Sequence, residues 1–114
     1  MSSKACKKRK SIEYKKYNAK IINTKIKAYP DTGAYTSSIP RAIVNKYDLK
    51  PKGFIYGILM NGRLNKLMLY DVPLTFMGRT VMIRAAAMEK QTSEPIMFVG
   101  RKQLRQFCVQ SVKV

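Results

Sequence analysis

The chain contains no histidine, and only 6 of its 114 residues are acidic. Without histidine there is no Ser-His or Cys-His nucleophile and no His-ligated metal. Cys6 and Cys108 are too few and too scattered for a disulfide scaffold or a thiolate metal site. They read as a tail thiol and a small buried hydrophobe in a reducing cytoplasm. Long apolar runs are also missing. The longest, residues 54–60 and 67–70, are strand-sized, so no membrane span is expected, and no secretory apolar region follows Met1. There is no Gly-rich phosphate loop, and no cofactor or metal is expected. Carboxylate chemistry, lysine chemistry or no chemistry remains.

What is present is an ordinary apolar share, 46%, in a length that holds one compact domain. Basic residues dominate: 23 Lys+Arg give a formal net charge of +17. Residues 1–27 carry ten of them against Glu13, and residues 28–114 carry thirteen against five acids, or +8. Residues 1–18 therefore read as an unpacked basic arm ahead of a domain at 19–114. Lys4, Lys7, Lys8, Arg9, Lys10, Lys15 and Lys16 form a cluster suited to the phosphates of RNA or DNA.

Past the arm, short strands alternate with turn signals. Residues 19–22 and 25–29 flank Asn23-Thr24 as a first hairpin. Ser37-Ser38-Ile39-Pro40 reads as a helix entry, with a hydroxyl cap and proline in the first turn of a helix over 40–47. Residues 54–60 and 64–71 flank Asn61-Gly62, a strong hairpin signal. Residues 72–77 and 80–86 flank Gly78-Arg79, residues 95–99 form a further strand, residues 102–107 a helix, and residues 108–114 a closing strand. The pattern indicates an all-β fold, a small closed barrel or folded sheet with one or two short helices.

Asp31-Thr32-Gly33-Ala34 is the segment with a chemical reading. It is followed by Pro40 and a short helix, by a glycine-containing hairpin, and finally by Met97-Phe98-Val99-Gly100-Arg101 entering a helix. That order resembles the retropepsin-like aspartic peptidases over about residues 19–112. The resemblance implies a catalytic Asp31, with the Thr32 hydroxyl bracing paired loops and Gly33 beside the substrate backbone. It implies substrate contacts at Ala34, at the hairpin tip Met60-Asn61-Gly62, and at Val99-Gly100, which would also pack on the catalytic loop.

Carboxylate hydrolysis of a peptide needs two carboxylates sharing a proton, and the chain supplies one Asp-Thr-Gly. A homodimer placing two Asp31 residues across its axis would complete the site. Four features depart from the family pattern, one of them the net charge of +17, against which two copies would have to dimerise. Pro30 precedes Asp31 and is expected to cost a ladder bond. Tyr35 replaces the acid that often pairs with the Gly-Arg arginine, leaving Arg101 expected in solvent. The hairpin has Gly57 and Gly62 rather than a dense glycine run. The sequence supports two functions: a homodimeric aspartic endopeptidase, or a non-catalytic basic RNA-binding protein of a ribosome or other ribonucleoprotein built on the same fold.

Overall fold

The structure is a computed structural model that describes residues 6–58, 61–88 and 94–114. Strands β2 (Tyr17–Ile21) and β3 (Thr24–Pro30) form the first hairpin, with Ala19 opposite Ile26 and Lys20 opposite Lys25. Alternation sends Ala19, Ile21, Ile26 and Ala28 into the core and the lysines outward. The turn falls on Ile22-Asn23, one residue earlier than expected. Ile22 takes a φ of 56°, unusual for a β-branched residue. Its N–H donates to the Pro73 carbonyl at 3.1 Å and its side chain packs on the core, which holds it there.

Strand β4 (Ser38–Ile39) leads into α1 (Arg41–Lys46), which buries Ile43 and Val44. The hydroxyl cap is absent: Pro40 occupies the cap position, at φ −62° and ψ 137°. Strand β5 (Gly53–Ile58) pairs with β6 (Leu64–Phe76), and β6 pairs with β7 (Arg79–Ala87). The two strands expected over 64–77 are one. Asp71 does not break it, because its carboxylate accepts two bonds from Arg84 on the facing strand, at 2.7 and 3.0 Å. The Arg84 hydrogen bonds hold the Asp71 carboxyl below its ordinary value.

Strand β8 (Ile96–Val99) lies parallel to β3 and antiparallel to β4, and β4 lies parallel to β7. The order β2-β3-β8-β4-β7-β6 closes through the β2–β6 pairing into a six-stranded barrel, from whose rim the β5–β6 hairpin projects. Ile21, Ile39, Val72, Leu74, Phe76 and Met97 fill the interior. This is the all-β closed barrel expected, with α2 (Arg101–Gln106) as its second helix.

The amino-terminal segment departs from expectation. Residues Lys10–Glu13 form β1, parallel to β9 (Val109–Lys113), and Ile12 is buried against the core. Cys6 and Cys108 are joined in a disulfide, with S–S 2.07 Å and Cα–Cα 5.6 Å. The described part of the arm is therefore folded onto the barrel, and the boundary expected after residue 18 falls inside β2. A disulfide is a feature of oxidising surroundings, so cysteine usage no longer supports a reducing compartment. Among the described residues no helix is long and apolar enough to cross a membrane.

Candidate active site

Asp31 emerges from the carboxyl end of β3, half-buried. Its N–H donates to the Val99 carbonyl at 2.9 Å, and its Oδ1 accepts the Gly33 N–H at 3.0 Å. A side-chain oxygen bonding the backbone two residues on is the usual way an aspartate fixes a tight turn. Among the described residues no hydrogen bond engages the other carboxylate oxygen. Thr32 and Gly33 are exposed on the same loop.

Pro30 does not carry the cost expected of it. Lys27 and Asp31 donate their N–H groups to Pro95, just ahead of β8, and to Val99 at its end, so odd-numbered residues face that strand. The Pro30 nitrogen points the other way, where β2 has already ended at Tyr17, opposite Ala28. No ladder bond is there to lose.

The loop is braced from behind by the entry to α2. Gly100 lies so close to it that a Cβ would sit 2.7 Å from the Tyr35 carbonyl oxygen and from the Thr36 carbonyl carbon. The Gly100 N–H donates to Ser37 Oγ at 2.9 Å, and that hydroxyl donates to Gln103 Oε1 at 2.7 Å. Ser37 and Gln103 are both buried, so each satisfies the other. Arg101 is not simply solvated. Its N–H donates to the Ala34 carbonyl at 2.8 Å, its guanidinium donates to the Thr32 carbonyl at 2.8 Å, and it lies over the Tyr35 ring at 5.8 Å. The aromatic face takes the place of the missing acid.

Val99 and Gly100 are both buried and face the loop, so in the single chain they support it from within. Ala34 is half-buried beside it. Asn61 and Gly62 form the exposed hairpin tip, with the Arg63 N–H on Asn61 Oδ1 at 2.9 Å and Gly62 at φ 81°. Met60 and Lys4 lie outside the described residues. Phe54, Tyr56, Ile58, Leu64 and Met68 are exposed on one face of the hairpin. By strand alternation this is the face that continues into buried Val72 and Leu74. Lys7, Lys8, Arg9, Lys10, Lys15 and Lys16 are all exposed; Lys16 pairs with Glu94 at 3.4 Å and Lys15 lies over Tyr17. Sequence reasoning missed Ser37 and Gln103, which carry no local signal.

No family model matches the chain, and no curated protein does. Solved structures do. The simian foamy virus (mac) protease superposes with a TM-score of 0.65 at 20% identity, over 82% of this chain and 94% of that one. The EIAV protease superposes with a TM-score of 0.64 at 20% identity, over 86% and 91%. The retroviral protease-like domain of Ddi1 from Leishmania major gives 0.55 at 16%, over 82% and 77%. The chain thus has the retropepsin-like fold, as its motifs implied.

Proposed function

We propose that the protein is a homodimeric aspartic endopeptidase, in which Asp31 of each of two copies contributes to one site. The observation that carries this reading is an Asp-Thr-Gly loop held by its own backbone and braced by Gly100, Arg101 and Ser37, with a carboxylate oxygen left over. Two such carboxylates across a two-fold axis hold one proton between them. The ionised one takes a proton from water, whose oxygen attacks the peptide carbonyl carbon, while the protonated one donates to the carbonyl oxygen. Collapse of the tetrahedral adduct breaks the C–N bond, and a proton passes to the departing nitrogen to leave a carboxylic acid and an amine. The apolar face of the hairpin, with Asn61 and Gly62 at its tip, would close over the peptide, and Ala34 would lie beside it.

Asp31→Asn is nearly isosteric but cannot hold or pass the proton. Cleavage of a peptide library should fall on the order of 10²–10⁴-fold with the fold unchanged. Undiminished cleavage by Asp31→Asn removes the assignment. A second reading, a basic RNA-binding protein of a ribonucleoprotein, is supported by the net charge of +17 and by exposed Lys7, Lys8, Arg9, Lys10, Lys15 and Lys16.

A further inference from the structure

The outward face of the β2–β3 hairpin carries Asn18, Lys20, Lys25 and Lys27. Lys20 stands directly opposite Lys25, and like charges in that register destabilise a sheet. Among the described residues no ion pair engages Lys20, Lys25 or Lys27; Lys27 donates to Asn18 Oδ1. These lysines border a cavity of about 660 Å³ whose lining includes Ala19, Ile26, Phe76 and Met77. A second cavity, of about 580 Å³, is bordered by Lys8, Lys10 and Arg79. Both cavities reach Met77 and Gly78, at the β6–β7 turn, and the first is the groove along the lysine file of the β2–β3 hairpin. Among the described residues one acid lines it, Glu94, which pairs with Lys16. Asp31 lies six residues along β3 from Lys25, about 20 Å at the rise of a strand.

We propose that this groove binds single-stranded RNA through its phosphates. The inference rests on the second reading above and relocates the contact from a free arm to a surface built by β2, β3 and the β6–β7 turn; it is independent of the peptidase reading. A file of ammonium groups along a concave surface suits the phosphates of a single strand, whose flexible backbone can follow it. The aromatic side chain at the groove, Phe76, is buried, so bases have no ring to stack on. Recognition is of the backbone, and sequence preference is weak. The paired lysines then make sense as a site whose repulsion is relieved by the ligand.

The test is fluorescence anisotropy of a labelled 12-nucleotide oligouridylate with the full chain across a salt series. Lys20→Gln/Lys25→Gln/Lys27→Gln should weaken binding at least tenfold. It should also flatten the slope of log affinity against log salt by about 2, at roughly 0.7 per phosphate contact on a single strand. A control of equal charge change, Lys50→Gln/Lys52→Gln/Lys102→Gln, should lose less than threefold. The groove variant should melt no lower than the parent, since it removes repulsion. Equal losses in both variants overturn the groove while leaving RNA binding in place. Failure of the parent to bind overturns the RNA reading itself. Tighter binding of a duplex of the same length overturns the single-strand assignment.

Discussion

At the scale of single residues, the loop depends on a buried hydroxyl that no local pattern announces. Ser37→Ala leaves the Gly100 N–H without its acceptor and Gln103 Oε1 without its donor, both inside the protein. Each orphaned group costs about 1–3 kcal/mol. The variant should melt measurably lower and lose peptidase activity, while Ser37→Thr, which keeps the hydroxyl, should recover part of both; an unchanged melting midpoint for the alanine variant would refute this role. The Asp31-Thr32-Gly33-Ala34 turn was legible in the sequence because it is fixed by immediate neighbours, the Gly33 N–H on Asp31 Oδ1. The Ser37–Gln103 pair was not, because 66 residues separate the partners. Arg101 was misjudged for a related reason. An acid at position 35 was sought as its partner, whereas a backbone carbonyl and an aromatic face can serve a guanidinium equally well.

At the scale of elements, apolar alternation located the β2–β3 hairpin and the start of β6, and turn and cap signals located both helices, with ends shifted by one or two residues. Strand β6 runs on to Phe76 through the break expected after Asp71. Alternation failed where pairing is with a distant strand. β1 reads as a charged tail, with Ile12 as its one buried residue, and only β9 gives it a ladder. The disulfide beside that ladder closes a span of 102 residues. Restricting the unfolded chain over a loop that long is worth about 4–5 kcal/mol. Cys6→Ser/Cys108→Ser should therefore shift chemical denaturation to markedly lower denaturant, and the parent with a thiol reductant should follow the variant. Identical midpoints with and without reductant would mean that the bond does not form in solution. Deletion of residues 1–18 should be destabilising for the same reason, since it removes β1, Ile12 and the cross-link.

At the scale of the whole molecule, charge opposes the assembly that the chemistry requires. A half-site enzyme has to be a symmetric dimer, yet each copy carries a formal +17. Among the described residues β9 pairs on one side, with β1, which leaves its other edge open to a strand from a second copy. Two such edges meeting across a two-fold axis would align both ladders and bring two positively charged surfaces into contact. The Debye length falls from about 10 Å at 0.1 M salt to about 3 Å at 1 M, so salt weakens that repulsion while hardly affecting the backbone bonds between edges. Sedimentation at rising salt should therefore show growing dimer, and specific peptidase activity should climb with protein concentration and salt together. An RNA-bound protein behaves in the opposite sense, because salt releases it from its polyanion and does nothing to bring two free chains together. A chain that stays monomeric at high salt and high concentration, and cleaves nothing in a peptide library, would leave the RNA-binding reading as the function of this fold.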